Sequence, residues 1–255
     1  MSEDSIMYEF VPFRCFSADD WDKLSTLNHI SLSEEDYEPQ TGMFSGITKY
    51  RCAFCGGKTC KHEDWTNTPD TPIRGLNCTW VTDSILASQR PSFRLIEEYD
   101  LVRVFQEKNI KLVLNLQVPG EHHMCGDGIL QNTGFSYDQK VFERAGILYS
   151  NLGWEDMDIP SMDRMITVVK TMDQVISQNG KVMIHCHAGY GRTGISIAAY
   201  LVYALNLDPF SAIMKVREKR SKCVQTRTQV NFIYDFKDAI KMINRNFCIG
   251  KKDPF

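Results

Sequence analysis

The chain has 255 residues, of which 43% are hydrophobic and 11% aromatic, enough for one full domain with an extension. A formal net charge of -3 argues against a nucleic-acid binder, and the longest apolar run, near residues 195–205, is too short to cross a bilayer. The nine cysteines are an odd number and no basic-then-apolar leader opens the chain, so we expect a reducing, intracellular compartment rather than a secreted disulfide framework.

Residues 1–74 differ in composition from the rest of the chain. They contain scattered acidic and aromatic residues, the cysteine-rich stretch CAFCGGKTCKH at 52–62, and the turn-rich sequence NTPDTP at 67–72. We therefore predict an N-terminal extension over 1–74, a folded catalytic domain over 75–247 and a short tail over 248–255.

Strand-like and helical runs alternate from about residue 75 onward. The predicted elements are, in chain order, a helix capped by Ser92 and reaching 108, a strand at 110–116, a helix near 138–145, a strand at 147–152, a helix from Ser161 to 178, a strand at 181–185, and helices at 193–205, 209–219 and 226–244. Strands that alternate with helices indicate an α/β fold, with a central, mostly parallel sheet and helices on both faces.

The strand at 181–185 runs directly into HCHAGYGRTG, residues 185–194, which we call the glycine-rich loop. Three glycines in eight positions indicate a backbone shape or a close approach that a Cβ would forbid. Successive N–H groups in such a turn, together with the N-terminus of the following helix, form a cradle for an anion. The residues predicted to surround that anion are His187, Ala188, Gly189, Tyr190, Gly191 and Arg192.

Three side chains of the glycine-rich loop suit phosphoryl chemistry. Helix N-termini and cations stabilise a thiolate, so Cys186 is the candidate nucleophile. Arg192 can offer a planar fork to two phosphoryl oxygens, and Thr193 can donate its hydroxyl to the sulfur. The alternative is an inert, buried cysteine in a glycine turn.

HCHAGYGRTG resembles the signature loop of the cysteine-based protein phosphatases at all of its defining positions. The similarity covers about residues 75–245, and NCTWVTDSILASQRPS (77–92) and NLQVPGEHHMCG (115–126) resemble a subgroup of the dual-specificity-like branch. The resemblance implies a phosphoprotein substrate, a cysteinyl-phosphate intermediate, no cofactor, and a cytoplasmic enzyme with a role at centrosomes or cilia. The chain departs from this pattern at Tyr190, where leucine is more usual, and in the sequence EDMDIP.

The resemblance also implies a general acid on a separate loop, here GWEDMDIP at 153–160. Asp156 matches the family's acid by its distance from Trp154 and from the proline, which makes it a better candidate than Asp158. Alternatively, Asp156 merely caps the helix that begins near Ser161.

Downstream, VQTRTQV resembles the family motif whose two glutamines position the attacking water, which places these roles on Gln225 and Gln229. The preceding stretch, KVREKRSKCVQTR at 215–227, has six Lys or Arg and one Glu. It either attracts acidic phosphoprotein segments to the rim of the site or is a solvated helix end.

Two other functions remain open from the sequence. Lipid-phosphatase relatives tend to place lysines inside the signature loop, where this chain has His187 and Tyr190, so a phosphoinositide phosphatase is an alternative to a protein phosphatase. A phosphate-binding scaffold without activity is a second alternative, although every catalytic group is present. The sequence does not determine the oligomeric state.

Cys52, Cys55, Cys60 and His62 are four potential zinc ligands within eleven residues. The Cys-x-His pair is an awkward spacing for one tetrahedral ion, and no second half-site follows. We therefore expect no metal here, and free thiols that pack a glycine turn against the catalytic domain. A resolving cysteine for oxidised Cys186 is a further possibility, with Cys125 equally eligible.

Overall fold

The computed structural model describes residues 55–63 and 71–249, with side chains as far as residue 243. Within these residues the chain forms a short 3-10 helix at Gly57–Thr59, five strands and seven α-helices. The strands are β1 Cys78–Thr82, β2 Ile85–Ser88, β3 Ile110–Asn115, β4 Leu148–Asn151 and β5 Lys181–His185. The helices are α1 Phe93–Glu98, α2 Leu101–Glu107, α3 Lys140–Glu143, α4 Met162–Ile176, α5 Gly191–Leu205, α6 Pro209–Lys219 and α7 Arg227–Ile249.

The five strands form one sheet in the order β1-β2-β5-β3-β4. The β1–β2 pair is antiparallel and the other three pairs are parallel, which confirms the predicted mostly parallel sheet. Since β5 is the central strand, the glycine-rich loop that follows it lies at the middle of the carboxyl edge, where α/β proteins commonly bind ligands.

Both faces of the sheet are covered by helices, as predicted. Alternate residues of β5 point to opposite faces: Val182 and Ile184 pack with α4, α5, α6 and α7, whereas Met183 packs with α1, α2 and α3. The two hydrophobic cores therefore hold the strand rigidly just before the chain enters the glycine-rich loop. Among the described residues, no helix combines the length and the apolar character needed to cross a membrane.

The structure differs from the predicted elements in two places. The predicted helix from Ser92 to 108 is two helices, because Asp100 takes a left-handed conformation (φ 48°) between α1 and α2. The β1–β2 hairpin was not predicted, because the sequence of its first strand, CTWVT, does not alternate clearly between polar and apolar residues. Ser92 and Ser161 do cap α1 and α4: their side chains accept hydrogen bonds from the N–H groups of Leu95 and Arg164.

Phe105 provides a test of the core beneath the sheet. Its ring is fully buried and stacks on Phe142 with centroids 5.6 Å apart. We expect Phe105→Ala to lower the free energy of unfolding by about 3–5 kcal/mol, because it removes the ring and leaves a cavity. Phe210→Ala on α6 is the control, since that ring is 63% exposed and its loss should change the free energy by less than about 0.5 kcal/mol. Equal urea midpoints for the two variants would contradict this packing.

Candidate active site

The glycine-rich loop has the compact shape that its composition predicts. Gly189 has φ +75°, and a Cβ there would lie 2.2 Å from the carbonyl oxygen of Ser88 on the neighbouring strand. A Cβ on Gly191 would lie 2.8 Å from Oε1 of Gln225. Glycine is therefore required at position 189, both by conformation and by the close backbone of Ser88, whereas a Cβ at position 191 would displace the amide ends of Gln225 and Gln229.

Cys186 lies at the end of β5, with its side chain facing a cavity of about 280 Å³. The residue is only 3% exposed, and its Sγ accepts a hydrogen bond of 3.3 Å from Thr193 Oγ1, as the sequence predicted. The residues that line the cavity are Cys55, His62, His122, Asp156, Met157, Cys186, His187, Ala188, Tyr190, Gly191 and Gln225.

Arg192 is fully buried behind the loop, and its guanidinium is already fixed by protein groups. Its Nη1 donates to the carbonyl oxygens of Leu116 and Trp154 at 2.9 and 2.8 Å, and the two Nη atoms bind Glu121 in a fork at 2.7 and 2.6 Å. Nη2 also lies 3.1 Å from Asp156 Oδ1. Burial acts to lower the pKa of Arg192. The charge and hydrogen bonds of Glu121 and the charge of Asp156 outweigh burial and raise this pKa above its ordinary value.

Within the described residues, the Nε of Arg192 has no hydrogen-bond partner. The sequence predicted a fork to phosphoryl oxygens, whereas the structure gives one fork to Glu121 and leaves an N–H unpaired on the other edge. The edge formed by Nε and Nη2 is therefore the one left for an anion, while Glu121 keeps the guanidinium in place.

Glu121 is a functional residue that sequence reasoning missed. It lies in the loop after β3, where it also accepts hydrogen bonds from Gln117 Nε2 at 2.9 Å and from the N–H of Val118 at 3.1 Å. A buried arginine needs a carboxylate partner. The stretch 115–126 resembles the family and contains one carboxylate, Glu121, so the sequence did offer a signal for this pairing.

Asp156 reaches the cavity from the 153–160 loop. Its Oδ1 lies 3.1 Å from Arg192 Nη2 and its Oδ2 lies 3.2 Å from His122 Nε2. Burial acts to raise the pKa of Asp156, but the hydrogen bond with His122 and the charge of Arg192 outweigh it and hold the pKa below its usual range. In this arrangement the carboxyl group is ionised.

Asp158 does not reach the cavity. It is exposed, its Oδ1 accepts from the N–H of Ile159 at 2.8 Å, and its carbonyl oxygen accepts from Trp154 Nε1 at 3.1 Å. Ser161, not Asp156, caps α4. The geometry therefore favours Asp156 over Asp158 and over the helix-cap alternative.

The two predicted glutamines meet at the junction between the glycine-rich loop and α5. The Oε1 of Gln229 accepts from the N–H of Gln225 at 2.8 Å, and Gln229 is fully buried. A Cβ on Gly191 would lie 2.8 Å from the Gln225 amide and 3.1 Å from the Gln229 amide. Both side chains are thus brought against the loop that carries Cys186.

Two stacked imidazoles form one wall of the cavity. The rings of His122 and His187 are 3.8 Å apart and nearly parallel, and the Nε2 of His187 lies 3.5 Å from Cys60 Sγ. Burial lowers the pKa of His187 to about 3, so its ring is neutral at physiological pH. His122 was not predicted as a site residue, although it bridges this wall to Asp156.

The basic stretch at 215–227 supports the glycine-rich loop from outside. Arg220 is buried, donates to the carbonyl oxygens of Gly189 and Ala188 at 2.8 and 3.1 Å, and stacks on the ring of Tyr190 at 4.5 Å. Arg217 donates to two carbonyl oxygens of the turn before α7. Two of these cations therefore hold the backbone, a role that neither sequence-based interpretation included.

Residues 55–63 of the predicted extension contribute to the site. Cys55 and His62 line the cavity, and the ring of His62 meets those of His187 and Tyr190 edge-on at 5.9 and 6.0 Å. Cys52 lies outside the described residues.

Comparisons with known proteins identify the kind of domain that this chain contains. Residues 92–206 match the family model described as "Polymorphic toxin system, DSP-PTPase phosphatase". The fold is that of the cysteine-based protein phosphatases, and the chain contains a dual-specificity-like phosphatase domain of that superfamily.

Among curated proteins, the chain is similar to the mouse protein tyrosine phosphatase domain-containing protein 1, with 41% identity over 196 residues, 76% of this chain and 26% of that protein. The chain therefore spans about a quarter of that relative's length (26%). Among solved structures, kinase associated phosphatase has a TM-score of 0.53 at 18% identity, covering 68% of this chain and 98% of that one. PTPMT1 in complex with PI(5)P also has a TM-score of 0.53, at 19% identity, covering 64% and 96%.

Glu121 provides a test of how Arg192 is held. We expect Glu121→Gln to weaken inhibition by vanadate roughly 10-fold or more, because a neutral amide cannot fix the guanidinium by a charged fork. Glu98→Gln, which alters a pair with Arg94 on the surface, should leave the inhibition constant unchanged. Equal inhibition constants for both variants would show that Arg192 does not depend on Glu121.

Proposed function

We propose that the chain is a cysteine-dependent phosphatase that hydrolyses phosphotyrosine, phosphoserine and phosphothreonine in proteins through a cysteinyl-phosphate intermediate. One observation carries the proposal: Cys186 and Asp156 face the same cavity, and the fixed guanidinium of Arg192 lies between their loops. These are a nucleophile, an acid and an anion-binding group in the arrangement that phosphoryl transfer needs.

In the first step, Sγ of Cys186 attacks phosphorus while the bond to the leaving oxygen breaks. The backbone N–H groups of the glycine-rich loop and the free edge of Arg192 stabilise the three other phosphoryl oxygens. Asp156 gives its proton to the leaving oxygen, so that an alcohol or phenol departs instead of an anion.

In the second step, a water molecule attacks the cysteinyl phosphate. Gln225, which lines the cavity, orients that water without adding charge, and the buried Gln229 positions Gln225 by accepting a hydrogen bond from its N–H. Asp156, now a carboxylate, accepts the proton of the water, and Cys186 is released as a thiolate.

The acid role requires a protonated Asp156, whereas the carboxyl group is ionised beside Arg192 in the described arrangement. A bound phosphoryl dianion resolves this difference, because it takes up part of the positive charge of Arg192 and brings negative charge next to the carboxylate. Both effects favour the protonated form of Asp156 only when substrate is present.

Protein substrates are favoured over phosphoinositides by the glycine-rich loop. Phosphoinositide recognition would use additional cations in this loop, whereas the ring of His187 is buried against Cys60 and Tyr190 is held beneath Arg220. A phosphoinositide substrate is the alternative, and a location at centrosomes or cilia stays a prediction.

Cys186→Ser tests the nucleophile. We expect the rate with an aryl phosphate to fall by at least roughly 10⁴-fold while the fold is kept, because a neutral hydroxyl replaces the thiolate. Cys78→Ser is the matched control, a buried cysteine in the opposite core, and should keep its activity. More than a few per cent of residual activity in Cys186→Ser would refute covalent catalysis by this residue.

Asp156 and Asp158 are distinguished by how the loss of kcat in each alanine variant depends on the leaving group of the substrate. With a phosphopeptide, whose leaving group needs a proton, Asp156→Ala should lower kcat roughly 10²–10⁴-fold. With an activated aryl phosphate the loss should be much smaller. Asp158→Ala should show no such dependence on the leaving group, and the reverse pattern would place the acid at Asp158.

A substrate panel decides between the protein and lipid alternatives. The wild-type chain is assayed with phosphotyrosine, phosphoserine and phosphothreonine peptides and with a set of phosphoinositides, and kcat/KM is compared. The proposal expects the highest values among the phosphopeptides. Higher kcat/KM values for phosphoinositides would establish the phosphoinositide alternative. If no member of the panel is hydrolysed, a phosphate-binding scaffold without activity becomes the favoured function.

A further inference from the structure

Four metal-ligand side chains meet beside the glycine-rich loop. The sulfur atoms of Cys55, Cys60 and Cys125 and a ring nitrogen of His187 all lie within 4.8 Å of one another. We call this set the thiol cluster. It joins three separate parts of the chain, namely the segment 55–63, the loop after β3, and the residue that follows the nucleophile.

The spacing of the thiol cluster fits a tetrahedral zinc ion. Zinc binds sulfur at about 2.3 Å and imidazole nitrogen at about 2.0 Å, so a sulfur and a nitrogen on one ion lie about 3.5 Å apart. The distance from Cys60 Sγ to His187 Nε2 is 3.5 Å. The three cysteines are not in disulfides, and three thiolates with one imidazole are a common ligand set of structural zinc sites.

The backbone between Cys55 and Cys60 is wound into a tight turn that directs both sulfurs inward. Gly56 and Gly57 both have positive φ, 101° and 56°, and the N–H of Lys61 donates to the carbonyl oxygen of Cys55 at 3.0 Å. The N–H of Gly126 donates to Gly57 at 2.9 Å, which brings the loop of Cys125 against this turn.

One buried arginine fastens the same three parts of the chain around the thiol cluster. Arg90 Nε donates to Glu63 at 2.7 Å, and Nη2 donates to the carbonyl oxygen of Cys125 at 2.8 Å. The N–H of Arg90 donates to the carbonyl oxygen of His187 at 2.9 Å. Arg90 therefore contacts all three segments that carry the ligands.

Apart from its hydrogen bonds and the Glu63–Arg90 ion pair, the segment 55–63 has little hydrophobic packing to hold it in place. Its sequence is CGGKTCKHE, without an aliphatic or aromatic hydrocarbon side chain, and its contribution to the described hydrophobic clusters is limited to cysteines. A nine-residue segment of this composition buries too little apolar surface to offset its loss of conformational entropy. Metal coordination supplies the missing free energy in such short segments.

We propose that Cys55, Cys60, Cys125 and His187 bind one Zn²⁺ ion, which fastens residues 55–63 to the glycine-rich loop. All four positions of a tetrahedral ion are filled by protein, so the ion is structural and not a Lewis acid for the reaction. It fixes the imidazole next to Cys186 and, through Cys55, one wall of the cavity. This inference replaces the metal-free expectation drawn from the sequence.

Elemental analysis of the full chain, expressed with added zinc and purified without chelator, tests the proposal. We expect one equivalent of zinc in the wild-type protein and loss of most of it in Cys60→Ser and Cys125→Ser. Cys78→Ser is a matched control outside the thiol cluster, and His62→Gln and Cys52→Ser remove the ligands that only the linear spacing suggests. All three controls should keep one equivalent.

Two further measurements do not depend on the folding of a variant. Wild-type protein refolded with Co²⁺ should show sulfur-to-cobalt charge transfer and the visible absorption of a tetrahedral ion. Thiol titration after denaturation with a chelator should count nine free thiols, the number in the sequence. The assignment would be overturned if the wild-type protein contained no zinc or a different metal, or if two thiols were missing. It would also be overturned if His62→Gln lost the zinc while Cys125→Ser kept it. None of these readouts uses turnover, so they stand or fall separately from the proposed reaction.

Discussion

The buried guanidinium of Arg192 is the interaction on which the geometry of the site depends. A fully buried charge is stable only when it is paired and hydrogen-bonded, and removing one partner of such a pair typically costs about 3–5 kcal/mol. Its hydrogen bonds run to Leu116 and Glu121 after β3 and to Trp154 after β4, while Arg192 itself follows β5. Because these three strands are adjacent in the sheet, one side chain fixes the relative positions of three loops.

In the proposed reaction, the same interaction links the binding of an anion to the protonation state of Asp156. Glu121 is fully engaged with Arg192 and balances its charge permanently, whereas Asp156 contacts only one nitrogen of the guanidinium and is more exposed. In the proposed mechanism, a phosphoryl group therefore competes with Asp156 and not with Glu121. Glu121 would hold the arginine while Asp156 is released for chemistry, and a single acidic residue could not fill both roles.

The sequence predicted those parts of the protein that are local along the chain. The parallel strands, the capped helices and the strand–loop–helix unit around Cys186 each depend on short patterns, and the structure contains them. The glutamine motif also reaches the loop as expected. The pairing of Arg192 with Glu121 and the stacking of His122 on His187 were not predicted, because the partners are 71 and 65 positions apart and only the sheet order brings them together.

The thiol cluster shows why a linear motif is a poor guide in this protein. The linear spacing groups four residues because they are near in sequence: Cys52, Cys55, Cys60 and His62. In the structure, the ring of His62 lines the cavity instead. Cys125 and His187, which are distant in sequence, complete the thiol cluster. Arg90 ties Glu63 to the backbone of His187, so the segment 55–63 is held to the catalytic loop by ionic and backbone contacts. Within the predicted extension, this segment also forms part of the cavity wall through Cys55 and His62. A change in its position would therefore move His187, the residue next to Cys186.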